Sequence, residues 1–416
     1  MGRIPPQKLC AGGDADGVLD AMTDHTDQHG VIAFLPWLKL PHPVDVGAVR
    51  FHPVDLKCMA IPGGDAINTQ FPRVLSSYRD RKGDPIQSCT IALFPLEQRQ
   101  WHIDQERHSD VLTASRILAI SALSEQRFYD QLAPTMNSTM FHVVLQGIEI
   151  GSDSLALPIR RRGLSSRTGG LTYDRVVFQQ PLQIDYTKIE NDFPVRILHA
   201  LEDARSNQST AWQAIEASLG FFLRGHADDQ DLTNDECVLL SVIAFERLLL
   251  QPSKSGALKF AEAFTDLWIS FSSKPLKDAT HLKTDPPFSE PQKTWPIHKK
   301  WAKEFYETRS SVAHQGPHEK RSINWLPEQH LVVAAFLYPL IIKIKLASEE
   351  RYVLSETEAG KCDALDFLLE CGWDRENEFF PKWPSILSEH ESCRQLHKIL
   401  EESYQSSQAN NTAPKK

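Results

Sequence analysis

The stretch that decides the reading is FYETRSSVAHQG, residues 305–316. Phe305 and Val312 fall on the apolar side of a helical repeat that also takes in Trp301, and the repeat stops at Gly316 followed by Pro317. Gly and then Pro is a common way for a helix to end. Near that end stand Arg309 and His314. On a continuous helix, five positions turn two side chains about 140° apart around the axis. They can share a site only if the helix loosens at its end or a second copy of the chain supplies one partner. The alternative is an ion-paired Arg309 and a His314 that caps the helix terminus, where a cationic side chain is favoured. A chain of this composition yields roughly one R-x4-H by chance, so context has to decide.

Outward from that stretch lie further amphipathic segments. Trp212, Ile215, Leu219, Phe222 and Leu223 form one helical stripe. A second helix opens at Thr233 with Glu236 three residues on, a capping box, and continues through Val238, Val242, Phe245 and Leu249. A third spans about 256–271, with Phe260, Phe264, Leu267 and Trp268 on one face. After a Pro/Lys/Asp-rich loop (274–296), the spacing predicts the fourth helix over 297–314 and a fifth from Pro327 to about 348, kinked before Pro339. Five such segments predict an up-and-down bundle over 206–350. Residues 351–405 read as a helical extension (CDALDFLLECGW, ESCRQLHKILEESY), and 406–416 as a disordered tail.

Ahead of the bundle the texture is different. Residues 1–30 read as a flexible leader, and 31–200 as a β-rich domain of sensor or regulatory type. Its short apolar runs are VIAFLPWLKL (31–40), VDVGAVRFHPV (44–54), SCTIALF (88–94), MFHVVLQGIEI (140–150) and YDRVVFQQPLQI (173–184). One helix interrupts them, DVLTASRILAISALSEQRFYDQL (110–132). The expected class is therefore α+β: a β-rich N-terminal domain followed by an all-α bundle.

Bulk properties narrow the function. With 41% hydrophobic and 24% charged residues over 416 positions, the chain has the composition of a globular protein with real cores. A net charge of -9 argues against nonspecific coating of nucleic acid and leaves room for a local basic patch. The strongest apolar run, Leu331 to Leu346, is interrupted by Lys343 and Lys345, so no membrane span is expected. Seven scattered cysteines without a CxxC pair, and an N-terminus lacking a signal-peptide core, lead to the expectation of a reduced, cytoplasmic protein without a zinc ribbon.

The segment YETRSSVAHQG resembles the R-x4-6-H signature of the HEPN superfamily (higher eukaryotes and prokaryotes nucleotide-binding), especially its ApeA-like branch. AFERLLL (244–250) is similar to that branch's helix carrying an acidic residue ahead of a Leu pair, and the resemblance covers about 206–348. RILAISALSEQRFYD, NSTMFHVVLQ and VVFQQP are more loosely similar to regions preceding such domains. The resemblance implies a HEPN-like helical bundle acting as a metal-independent endoribonuclease, a homodimer in which both R-x4-H segments face a shared cleft. It implies a role in antiphage defence by abortive infection, with a phage-derived trigger at the N-terminal domain and no cofactor. Carried over, the catalytic pair is Arg309 and His314. The position after the arginine, often Asn, Asp or His in active members, is Ser310, which can hydrogen-bond but is no acid or base at neutral pH.

The residue types suit that chemistry. RNA brings its own nucleophile, the 2′-OH; histidine moves protons near neutrality, and arginine offers a planar fork of donors to the charged phosphorane. Tyr306 and Ser310 are placed to orient the phosphate, and Glu246 to fix Arg309, unless Glu246 is a plain interhelical salt bridge. Lys299, Lys300 and Lys303 are candidates to steer RNA toward the cleft. A non-catalytic module binding RNA, a nucleotide or a protein is the rival reading. Weaker features read as structural: His102, Asp104 and His108 as a polar loop rather than metal ligands, GGDA (63–66) as a turn, and Arg160, Arg161, Arg162 and Arg167 as an exposed loop charge run rather than a contact for RNA phosphates.

Overall fold

The computed structural model describes residues 29–57, 65–80, 82–94, 105–124, 137–149, 154–161, 164–172, 176–179, 194–227, 229, 231–250, 256–282, 289–314, 324–373 and 382–411. The leader expected over 1–30 lies outside these except for its last two residues, which begin a strand. The chain folds as two compact units. Described residues of the first fall within Met1–Leu118 and Met140–Leu182, and those of the second within Ala119–Thr139 and Asp192–Lys416.

The first unit is built on β1 (His29–Leu35), β2 (Val44–Val46), β3 (Val49–Asp55), α1 (Asp65–Leu75), β4 (Tyr78–Arg79), β5 (Ser88–Leu93), the part of α2 (Gln105–Leu123) up to Leu118, β6 (Val144–Glu149), β7 (Ser154–Arg161), β8 (Leu164–Thr172) and β9 (Phe178–Gln179). Seven strands make one antiparallel sheet in the order β2-β3-β5-β1-β6-β7-β8. A consecutive apolar run suits a strand covered on both faces, and Val31 to Leu35 of the central β1 are all buried. Register is fixed there by Phe34, opposite Ile91 of β5 on one side and Val144 of β6 on the other. VDVGAVRFHPV is a hairpin: Gly47, at φ 58°, opens a two-residue turn that pairs Val46 with Val49. Thr90 staples the chain leaving β1, its hydroxyl donating to the Leu38 carbonyl (2.8 Å) and accepting from the Leu40 N–H (3.2 Å).

One expectation for this region needs correction. GGDA is not simply a turn, because α1 starts at Asp65 and packs Phe71, Val74 and Leu75 into the core with Ile32, Phe34 and Ile91. Pro72 inside the helix and so short an apolar face masked the helical pattern. Of YDRVVFQQPLQI, Phe178 and Gln179 form a strand that pairs in parallel with Tyr78 and Arg79, while residues 173–175 and 180–184 lie outside the described ones. Helix α2 starts at Gln105, five residues before the expected start, and residues 125–132 of that segment lie outside the described ones.

The second unit is helical: α3 (Val195–Ser206), α4 (Thr210–Gly225), α5 (Asn234–Leu249), α6 (Ala257–Trp268), the single turn α7 (Glu290–Lys293), α8 (Ile297–His314), α9 (Pro327–Ser348), α10 (Glu356–Asp363), α11 (Leu365–Cys371) and α12 (Trp383–Asn411). The Thr233–Glu236 capping box at the start of α5 is formed in both directions. At the centre lies α9, which runs on through Pro339 and is buried on nearly every face. By length and composition it is the one helix among the described residues able to cross a membrane, and its burial inside the unit accounts for that apolarity. Aromatic rings fill the space around it. Phe222 of α4 stacks on Tyr338 at 3.7 Å, the Tyr338 and Ser218 hydroxyls share a 2.6 Å hydrogen bond, and Phe245 of α5 meets Phe305 of α8 edge-on. Of the tail expected to be disordered over 406–416, residues 406–411 have a helical backbone ending at Asn411, and 412–416 lie outside the described residues. Once nucleated by the segment from Trp383, a helix propagates cheaply into polar sequence.

Candidate functional site

The residues singled out from the sequence ride on α8, which is anchored at two points. Asp366 of α11 receives the His298 backbone N–H (2.9 Å) and the buried His298 Nδ1 (3.0 Å), holding the start of the helix. Its second oxygen takes the Ser272 hydroxyl (2.6 Å) and the Lys274 N–H (3.0 Å). Two turns on, the buried Glu304 carboxylate accepts the backbone N–H groups of Asn324 (2.6 Å) and Trp325 (3.0 Å), just ahead of α9. A helix fixed in this way presents its next turn with little freedom.

That turn carries Tyr306 and Arg309. Glu246, on the facing α5, bridges them: one carboxylate oxygen accepts from the Tyr306 hydroxyl (3.1 Å), and the other is ion-paired with Nη1 of Arg309. The guanidinium lies 5.7 Å from the centre of the Tyr306 ring, within cation–π range. Tyr306 is buried against Phe260 and also accepts the Gly256 N–H (3.3 Å). Burial, reinforced by the Glu246 charge, raises the Tyr306 hydroxyl above its ordinary range, so it stays a neutral donor to that carboxylate. Arg309 keeps 32% of its side-chain surface exposed. A guanidinium presents five N–H donors, more than one carboxylate can use, so an anion arriving from solvent has donors to meet.

Three of the expected site residues, Glu246, Tyr306 and Arg309, thus come together. The side chains of Ser310 and His314 lie outside the described ones, but the backbone is helical through His314. The unbroken helix sets the residue-314 position about 140° around and about 7.5 Å along the axis from Arg309. Of the two ways the pair could meet, a loosened helix end is not what this backbone adopts.

The three lysines are not equivalent. Lys300 is ion-paired with Glu304 (3.4 Å), and Lys303 with Glu307, so both charges are largely answered within α8. Lys299 lies over the Trp295 ring at 4.8 Å, without a carboxylate among its described contacts. Among the weaker candidates, His102 and Asp104 lie outside the described residues and His108 sits on α2, while Arg160, Arg161 and Arg167 are strand rather than loop, on β7 and β8.

Sequence reasoning missed the two groups that build the platform, Gly256 and Glu304. Gly256 sits at φ 125°, a backbone state that L side chains rarely adopt, and a Gly at a helix N-cap is a readable signal. The contact of Glu304 with the chain ahead of α9 left no such signal, because the backbone N–H groups it accepts lie 20 and 21 residues further along the chain. No family model, curated protein or solved structure matches the chain.

Proposed function

We propose that the helical unit is a HEPN-like endoribonuclease that cleaves RNA without a metal ion and works as a homodimer. The observation carrying this reading is the Glu246–Tyr306–Arg309 cluster: a partly exposed guanidinium held on an anchored helix, with a histidine further along the same helix. In the proposed reaction the 2′ oxygen of a ribose attacks the adjacent phosphorus while a base takes its proton. The 5′ oxygen leaves with a proton, giving a 2′,3′-cyclic phosphate and a 5′-hydroxyl. Arg309 binds the phosphate oxygens as negative charge grows on them, and His314 moves the proton. Because α8 stays helical through His314, the histidine that serves one Arg309 comes from the second copy. Lys299 is the lysine left to attract RNA, and an antiphage role with a trigger at the sheet unit is the biological setting that goes with this chemistry.

A second reading has its own support. The Arg309–Glu246 ion pair is what an interhelical strut looks like, and a strut with donors to spare suits a module that binds RNA or a nucleotide without cutting it. Purified wild type, Arg309→Ala and His314→Ala separate the two in an RNA cleavage assay run with chelator. The nuclease reading expects cleavage by wild type and a loss of about 10²-fold or more in each variant. Equal cleavage by all three, or cleavage only with added divalent metal, overturns it.

A further inference from the structure

Away from that cluster, the turn after Ala279 folds back onto the end of α11. There one ligand atom each from His281, Glu370 and Cys371 lies within 4.8 Å of the other two. We propose that these three residues bind a zinc ion. Imidazole nitrogen with a thiolate is a donor set that selects zinc over magnesium or calcium, and three protein ligands leave the fourth tetrahedral position for water. Zinc bond lengths of about 2.0–2.3 Å put neighbouring ligand atoms about 3.3–3.6 Å apart. His281 is on an exposed turn, so the closure needed, about 1 Å, falls on the most adjustable member.

Glu370 is the fixed member. Its carboxylate is buried, and one oxygen accepts the Thr280 N–H (2.7 Å) while the His281 N–H also donates to the group. These bonds hold the turn in place before any ion arrives, as outer contacts commonly do for metal ligands. The position already attracts a cation: Lys274 Nζ lies 2.5 Å from the other Glu370 oxygen. Zinc and the ammonium therefore compete for that oxygen. The ion would brace the same connection that, through Ser272, Lys274 and Asp366, holds the start of α8.

The test uses the full chain, stripped with chelator under reducing conditions and titrated with zinc against a chromophoric zinc indicator. One zinc per chain is expected, with affinity about tenfold or more weaker in Cys371→Ser and in His281→Ala. Lys274→Met, which removes the competing ammonium, is expected to bind more tightly. Cobalt in place of zinc should give a thiolate charge-transfer band that Cys371→Ser lacks. Circular dichroism confirms folding, and since His281 is exposed, its variant serves if the Cys371 variant unfolds. No zinc held at one equivalent, or an affinity unchanged in the Cys371→Ser/His281→Ala double variant, overturns the proposal. Weaker or unaltered binding by Lys274→Met removes Glu370 from the ligand set and overturns it as stated. None of these readouts depends on RNA cleavage.

Discussion

Mixing two inactive variants should restore activity. The expectation rests on the continuity of α8: with its backbone helical through residue 314, Arg309 and His314 diverge by about 140° around the axis and about 7.5 Å along it. If each active site takes Arg309 from one copy and His314 from the other, an Arg309→Ala homodimer has no arginine in either site. A His314→Ala homodimer has no histidine. Each should lose about 10²-fold or more in cleavage rate. A mixed dimer is different, because two-fold symmetry gathers both substitutions into one site and leaves the other whole. Differently tagged chains, co-expressed and isolated through both tags, should therefore cleave at about half the wild-type rate per dimer. An unfractionated equal mixture with free exchange is half mixed dimers, so it should reach about a quarter. The assay is release of labelled fragments from a single-stranded RNA in chelator. A mixed dimer as inactive as its parents would refute the shared site, since a site built within one chain gains nothing from a partner carrying the other defect.

Three further outcomes are expected, each read from chemical or thermal denaturation. Glu246→Gln should cost only about 1 kcal/mol of stability, because the Arg309–Glu246 pair is partly exposed and solvent screens it; a loss above about 3 kcal/mol would mean the pair is structural first. Lys343 and Glu358 form a buried pair at 2.7 Å between α9 and α10, so Glu358→Ala, which removes the carboxylate paired with a buried ammonium, should cost about 3–5 kcal/mol, while Lys343→Met/Glu358→Leu should come out near neutral. Burial lowers His330 from about 6.5 to about 3, so between those values the unfolded chain binds a proton that the folded chain refuses, and stability drops as pH falls through that window. Replacing it, His330→Phe, should flatten unfolding free energy against pH by about 1.4 kcal/mol per unit there; an unchanged slope would show that His330 does not contribute.

How much of this was legible depends on whether the signal was local. The helices over about 297–314 and 327–348 were readable in outline, because Gly316 and Pro317 mark a stop for the first and Pro327 a start for the second. The capping box at Thr233 involves groups three residues apart and was equally plain. By contrast, α1 was hidden by Pro72, and the β7–β8 hairpin by a sequence, SLALPIRR then LSSRTGGLT, with weak alternation. In the candidate site, the pairing of Glu246 with Arg309 could be anticipated because both lie on strongly periodic helices. The pairing of Lys300 and Lys303 with carboxylates four residues on was present in the sequence as i, i+4 spacing, and reading them as free for RNA overlooked it.

The geometry also changes the choice first posed for Glu246, between clamp and strut. A strut needs only the Arg309 contact, yet the carboxylate divides its oxygens between Arg309 and Tyr306, and Gly256 donates to the same tyrosine. Tyr306 is buried and neutral, so the bond to Glu246 orients the carboxylate without competing for its charge. Glu246 then fixes where the guanidinium points and satisfies part of it, which lowers its entropy and leaves a fan of donors at the surface. Phosphate recognition gains most from a pre-oriented arginine, because the cost of ordering the side chain has been met before the ligand arrives. In the proposed reading, the interhelical ion pair would serve as the anion clamp as well, the two roles belonging to its buried and exposed sides. The discriminating group is therefore not Glu246 but the histidine one and a half turns further along α8.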